Sequence, residues 1–115
     1  MVDVPLERFE ELVGEALDGI PEELGRLMDN VAVFVREGSP GSGLLGRYEG
    51  IPLTHRDRGY EGMVMPDRIT IFRQPIVARC ASEAEVVDQV RITVIHEVGH
   101  HFGIDDARLQ ELGWA

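Results

Sequence analysis

The sequence has a single cysteine, no lysine and no long hydrophobic run. Cys80 has no second cysteine to pair with, so an internal disulfide is excluded, as is typical of a reducing compartment, and we expect a small apolar core residue. No apolar stretch approaches the roughly 18 residues that span a bilayer. The N-terminus, at 1–5, lacks the basic and apolar regions of a signal peptide. We therefore expect a cytoplasmic protein with no membrane partner.

Positive charge is also scarce. Eleven arginines stand against 21 acidic residues, which gives a formal net charge of −10. Residues 1–30 carry nine acids and residues 81–115 carry seven, against two arginines in each segment. A nucleic acid would be repelled by both of these flanks, so nucleic-acid binding is disfavoured.

The N-terminal half alternates helical and extended patterns. Apolar residues at three-to-four spacing predict a helix that ends near Asp18, and a second, shorter helix is predicted over Glu22–Met28. The run at 31–35 is continuously apolar and, apart from Ala32, β-branched or aromatic, the pattern of a strand covered on both faces. A loop of glycine, serine and proline follows at 38–43.

The C-terminal half predicts strands and then a long helix. Strands are expected over 48–53, 63–65 and 68–73, and a short helix over 75–80. Ser82 and Glu85 form a capping box that starts a helix to Phe102, with a last helical turn at 108–112. The predicted core stripe of the long helix is Val87, Val90, Val94 and Val98. At 115 residues we expect one α+β domain over 1–115: a small mixed β-sheet of three to four strands packed on helices, with a long C-terminal helix.

The segment 96–106 carries the chemistry. On a helix, His96 and His100 lie one turn apart on the same face, about 6 Å between Cβ atoms, so both imidazoles can reach one metal ion. Glu97 is rotated by about 100° and sits beside the pair, where it can accept a proton from metal-bound water. Gly103 permits a left-handed residue that turns the chain back, and Asp106 then arrives as a third ligand.

The spacing H-E-x-x-H-x-x-G-x-x-D over 96–106 resembles the zincin metallopeptidases, in particular their aspartate-zincin variant. The segment from His96 to Trp114 is also similar to a small bacterial family of single-domain zincin-like proteins, the mini-zincins. The resemblance implies zinc, held by His96, His100 and Asp106, with Glu97 as the catalytic acid and base that hydrolyses a peptide bond. A carboxylate ligand leaves the metal less electron-poor than a third histidine would, so we expect activity at neutral to alkaline pH.

The sequence departs from the larger zincins after the motif. Nine residues follow Asp106, from which we expect that the C-terminal lobe of a full-sized zincin is missing. No methionine follows to form the Met-turn under the metal. Trp114 is our proposed replacement for that apolar floor, packed under His96 or Asp106; a frayed terminal tryptophan is the equal alternative.

Other polar residues are weaker candidates. We expect His101 to pack rather than to bind the metal. Of the two aspartates, we expect Asp106 and not Asp105 to bind the metal, because the motif's register favours Asp106. A solvated or packed side chain is the expected state of the other possible site residues, which are His55, Tyr48 and Tyr60. The strand to which a substrate peptide would pair is either 48–53 or 61–65. Arginines at 56, 58, 68 and 73 are expected to pair with the acidic flanks.

Three functions remain in competition at this stage. The leading one is a zinc metallopeptidase with a peptide or protein substrate. The second is a binding or regulatory protein with a zincin fold and no turnover, against which Glu97 argues, since a structural site does not need it. The third is a metal-dependent ribonuclease with the spacing H-x-x-x-H-x-x-x-x-x-H, against which Glu97 and the charge of −10 argue. An exposed edge strand makes a homodimer plausible.

Overall fold

The structure, a computed structural model, describes residues 2–50 and 66–114. Its elements in chain order are α1 (Leu6–Asp18), α2 (Glu22–Leu27), β1 (Val31–Arg36), β2 (Gly46–Glu49), β3 (Asp67–Phe72), α3 (Arg73–Arg79), α4 (Glu83–His101) and α5 (Asp106–Glu111). The predicted α+β class, with a small sheet packed on helices and a long C-terminal helix, is confirmed. The strand predicted at 63–65, and the end of the one predicted at 48–53, lie outside the described residues.

The described strands form one sheet with the order β1-β3-β2. β1 runs parallel to β3, with Val31 opposite Asp67, and β2 runs antiparallel to β3, with Gly46 opposite Ile71. β3 is therefore the central strand of the described sheet. β2 packs against the long helix α4, where Gly46 lies close to Thr93.

The prediction of a strand at 31–35 covered on both faces is wrong. β1 lies at an edge of the described sheet, and its Phe34 is 40% exposed beneath the Arg68 guanidinium, 5.3 Å from the ring centroid. β3 is instead the strand buried on both faces, since Ile69, Thr70 and Ile71 are all buried. A strand's coverage depends on what pairs with it and packs over it, which its composition alone does not contain.

The core lies between α1, α4 and the sheet. Val90, Val94 and Val98 are fully buried, as predicted, but Val87 is only partly buried and Val86 takes its place in the core. The helix is thus rotated slightly from the predicted phase, and Thr93 and Ile95 are buried as well. Two helices begin earlier than predicted, α3 at Arg73 and α5 at Asp106.

Among the described residues, no helix is both long and apolar enough to cross a membrane.

Candidate metal centre

Helix α4, which carries the two histidines and Glu97, begins at a capping box. The Glu85 N–H donates to Ser82 Oγ at 3.2 Å, and Glu85 Oε2 accepts from the Ala81 N–H at 2.9 Å. The Glu85 N–H is one of the groups that a helix start leaves without partners, and the Glu85 carboxylate reaches back to the residue before the N-cap. The predicted capping box is confirmed, and it fixes where the helix starts.

The helix ends in the glycine turn that the sequence predicts. Gly103 has φ +79°, the left-handed conformation that costs a glycine little. The Ile104 N–H donates to the Gly99 carbonyl at 2.8 Å, and the Gly103 N–H donates to the His100 carbonyl at 3.1 Å. This is a Schellman motif, which satisfies the last carbonyls of α4 and reverses the chain.

The two aspartates after the turn have different partners. Asp105 is the N-cap of α5, because its Oδ1 accepts the Arg108 N–H at 2.8 Å. Asp106 instead places its Oδ1 2.8 Å from His100 Nε2, across the turn. Of the two aspartates, Asp106 is therefore the one that meets the histidine pair.

The three residues predicted as metal ligands lie together. The rings of His96 and His100 are stacked, with their centroids 5.8 Å apart and their planes 26° from parallel. The hydrogen bond with His100 lowers the pKa of the Asp106 carboxyl. Desolvation raises this pKa by less, and the electrostatic effect of the nearby His100 and His96 lowers it further. Asp106 is thus held as a carboxylate, the form that binds a metal.

The donor types fit zinc, although their positions need adjustment. Within 2–50 and 66–114, no three His, Cys, Asp or Glu side chains gather their donor atoms as a bound metal requires. His100 Nε2 and Asp106 Oδ1 are hydrogen-bonded at 2.8 Å, whereas two ligand atoms on a tetrahedral zinc are about 3.3 Å apart. Two imidazoles and one carboxylate leave a fourth position open, the ligand set of a catalytic zinc site. Both side chains of this pair are exposed, so they have room to separate.

Glu97 lies against the outward edge of β2. The Tyr48 backbone N–H donates to Glu97 Oε1 at 3.2 Å. The Phe72 N–H donates to the Leu45 carbonyl, which makes 45 and 72 a hydrogen-bonded pair of the antiparallel ladder. Since such pairs alternate, the backbone groups of Gly46 and Tyr48 point away from β3. The Glu97 carboxylate therefore accepts a hydrogen bond from one of the backbone groups of β2 that point away from β3.

A cleft of about 200 Å³ opens beside Glu97 and His96. One wall is formed by residues 43–46, at the start of β2, and the other by two turns of α4, between Gln89 and Glu97. Its lining combines glycines and apolar side chains with two further polar residues and the two site residues: Gly43, Leu44, Leu45, Gly46, Gln89, Ile92, Thr93, His96 and Glu97. The side chain of a bound molecule could enter this cleft next to the candidate base.

His101 packs, as predicted, and does not face the ligand cluster. Its ring stacks on Tyr48, with centroids 3.8 Å apart and planes 20° from parallel. The Tyr48 hydroxyl donates to Asp67 Oδ2 at 2.8 Å, so Tyr48 is a packed and hydrogen-bonded aromatic.

The other candidate residues have separate outcomes. His55, Tyr60, and the arginines at 56 and 58 lie outside the described residues. Arg73 forms an ion pair with Glu37 at 2.7 Å, an acid of the middle segment and not of the acidic flanks that were predicted. Cys80 is buried, which raises the pKa of its thiol.

The residue that packs beneath the motif is Leu109, which the sequence reasoning missed. Leu109 is fully buried, and a Cβ added at Gly99 would meet its Cδ2 at 3.1 Å. Trp114 is half-buried against the core, and its backbone N–H donates to the Leu109 carbonyl at 2.9 Å. Trp114 is therefore anchored rather than frayed. The glycine inside the motif was the available signal, since a helical glycine often marks a close approach.

The Tyr48 backbone contact with Glu97 was also missed. A backbone N–H is present at every residue except proline, so no sequence pattern could have marked it. Gly46 belongs to the same interface, because its absent side chain lets β2 approach Thr93 of α4.

Comparison with known proteins identifies the family. A family model described as zincin-like metallopeptidase matches residues 28–114. No curated protein matches the chain. A solved structure, a conserved hypothetical protein from Thermus thermophilus, is similar with 27% identity and a TM-score of 0.54, over 95% of this chain and 97% of that one. The chain belongs to the zincin-like metallopeptidase family.

Proposed function

We propose that this chain is a zinc-dependent metallopeptidase, in which His96, His100 and Asp106 hold the metal and Glu97 is the general base and acid. The position of Glu97 carries the proposal. Its half-buried carboxylate stands next to the histidine pair and at the same time against the outward edge of a strand. A purely structural zinc site has no use for a carboxylate in that place.

Zinc, when bound, would supply Lewis acidity to the scissile carbonyl and to water. Glu97 takes a proton from the attacking water and delivers it to the nitrogen of the leaving amine. Oε1 is the oxygen that the Tyr48 N–H holds, and we assign the proton transfers to Oε2. The remaining task of the chain is to align the peptide.

The outward edge of β2 is the alignment surface that the proposal favours. An extended peptide can pair with backbone groups there, as in other strand-addition complexes. Because Glu97 already holds the Tyr48 N–H, we assign the peptide's backbone bonds to Gly46, whose N–H and carbonyl also point away from β3. The neighbouring cleft, with Leu45 and Ile92 in its walls, suits an uncharged side chain of modest size.

Zinc titration of three full-length chains tests the ligands and the base separately. Wild type is expected to bind one zinc ion, and His100→Ala to bind it at least about 100-fold more weakly, since a ligand is lost. Glu97→Gln keeps zinc because the base is not a ligand. Its cleavage of a peptide library at pH 7–9 falls by about 10²–10⁴-fold.

Two outcomes would overturn the proposal. One is the absence of stoichiometric zinc in wild type. The other is zinc binding without cleavage of any library peptide, which would favour a binding or regulatory role for the same fold.

A further inference from the structure

Tyr48 is in contact with helix α4 at two residues four positions apart. Its backbone N–H donates to Glu97 Oε1 at 3.2 Å, and its ring stacks on His101 with centroids 3.8 Å apart. Residues four apart lie on the same side of a helix, one turn from each other. A single strand residue therefore spans the turn of α4 that carries the candidate base.

The Tyr48 ring is fixed at its far end as well. Its hydroxyl donates to Asp67 Oδ2 at 2.8 Å, and His101 Nε2 lies 3.9 Å from the same oxygen. Asp67 is the first residue of β3, the central strand. Tyr48, His101 and Asp67 thus tie the end of β2 to both the helix and the sheet, an arrangement that we call the aromatic clamp.

Close backbone packing accompanies the clamp. A Cβ added at Gly50, two residues after Tyr48, would meet His101 Cε1 at 3.2 Å. The chain leaving β2 therefore passes directly beside the histidine ring. Displacing that ring frees the strand end to move relative to α4.

A glutamate side chain has several rotamers, and a general base must hold the one that reaches its proton. The Tyr48 N–H selects one for Glu97, but only if β2 stays in place against the helix. We propose that Tyr48 and His101 are positioning residues, which hold the β2 edge so that the Tyr48 N–H orients the Glu97 carboxylate. The inference rests on the proposed function for its catalytic consequence, whereas the hydrogen bond itself can be measured without activity.

Amide hydrogen exchange, followed by NMR on the full-length chain, tests the hydrogen bond. We expect exchange at the Tyr48 N–H to be at least about tenfold faster in Glu97→Ala and in His101→Ala than in wild type, because an N–H that loses its partner exchanges with water. His101→Phe keeps a ring to stack on Tyr48 and restores the protection. The Arg47 N–H, which points toward β3, is the internal reference and changes much less.

Val86→Ala is the matched control for stability. Val86 is fully buried on the same helix, near its other end, so its truncation destabilises α4 without touching the clamp. The inference is overturned if Tyr48 exchange is unchanged in His101→Ala, or if Val86→Ala accelerates it equally.

Kinetics and zinc titration then test the catalytic consequence. His101→Ala is expected to lower kcat at least about tenfold, with KM and the zinc Kd within about threefold of wild type. His101→Phe recovers most of kcat, and Val86→Ala leaves it unchanged. Loss of zinc in His101→Ala would make His101 a ligand, and a kcat equal to that of Val86→Ala would make the clamp merely structural; either result overturns the inference.

Failure of the proposed function gives a different result. If wild type cleaves no peptide while Tyr48 exchange responds to Glu97→Ala and His101→Ala as expected, the peptidase proposal fails and the orientation of Glu97 by the clamp stands.

Discussion

Asp105 and Asp106 carry the same side chain and are adjacent, yet they have different partners. Asp105 accepts the Arg108 N–H and begins α5, while Asp106 reaches His100 across the glycine turn. Gly103 adopts a left-handed conformation between α4 and the two aspartates, and this conformation sets the direction in which the chain leaves the helix. The two aspartates therefore reach different partners. A one-residue shift of that turn would bring the wrong carboxylate to the histidines.

Gly103→Ala tests this turn. At φ +79° an alanine Cβ is strained, so we expect a loss of about 1–2 kcal/mol in the free energy of unfolding, and a smaller loss for Gly103→Asn. Urea denaturation measures both. Gly41→Ala, at a loop glycine where a Cβ would meet nothing within 4 Å, is the control and should change stability by less than about 0.5 kcal/mol. Equal effects at the two glycines would contradict the strain argument.

The contact between β2 and α4 is the feature of the fold that assembles the site. Gly46 is a point of close approach between the two elements, since a Cβ there would lie 2.7 Å from Thr93 Cγ2 of α4, and also 3.2 Å from the Thr70 carbonyl of β3. The Thr93 hydroxyl is itself bonded to the Gln89 carbonyl at 2.7 Å, so the side chain is held in that position. The distance of the strand from the helix, and hence of Tyr48 from Glu97, depends on this pair.

Gly46→Ala should therefore push β2 away from α4 and lower the free energy of unfolding by about 1–3 kcal/mol through overpacking. Thr93→Ser removes the methyl group in the way, so the double variant should lose less than the sum of the two single variants. A double-mutant cycle in urea measures this coupling. Gly43→Ala, three residues before Gly46 and at a position where a Cβ meets nothing within 4 Å, is the control. Strict additivity would show that the two residues do not interact.

Across the whole molecule, the acidic surface makes a few ion pairs between distant elements important for pH dependence. Arg8 of α1 bonds Glu83 at the start of α4, with Nη2 2.8 Å from Oε1. This hydrogen bond holds the pKa of Glu83 below its ordinary value. A lowered carboxyl pKa contributes stability above the unfolded-state pKa, and that stability is lost as the pH falls through the folded-state pKa.

Arg8→Met should consequently lower the thermal midpoint slightly at pH 7, by a few degrees at most for so exposed a pair. The difference from wild type should vanish as the pH is lowered below the pKa of Glu83. Calorimetry between pH 7 and pH 2 measures it. Arg26→Met, which breaks a more exposed pair within α2, should have less effect at any pH. A difference that persists at pH 2 would mean that Arg8 acts through packing rather than charge.

Local patterns by themselves determined most of the candidate site. The capping box, the 3.6-residue period and the left-handed glycine act over a few residues, so the sequence predicted that two histidines and Glu97 share a helix and that Asp106 returns to His100. The roles of these residues as ligands and base stay predictions.

Only the tertiary structure decided which strand is central and what holds Glu97. A strand becomes central through neighbours that arrive from elsewhere in the chain. The continuous apolar run at 31–35 therefore became β1, at an edge of the described sheet, and the segment predicted as a strand over 68–73 became the central β3. The Tyr48 N–H that reaches Glu97 belongs to a residue 49 positions away. Backbone groups have no residue-specific pattern, and long-range contacts are fixed by packing, so neither could be derived from the order of residues alone.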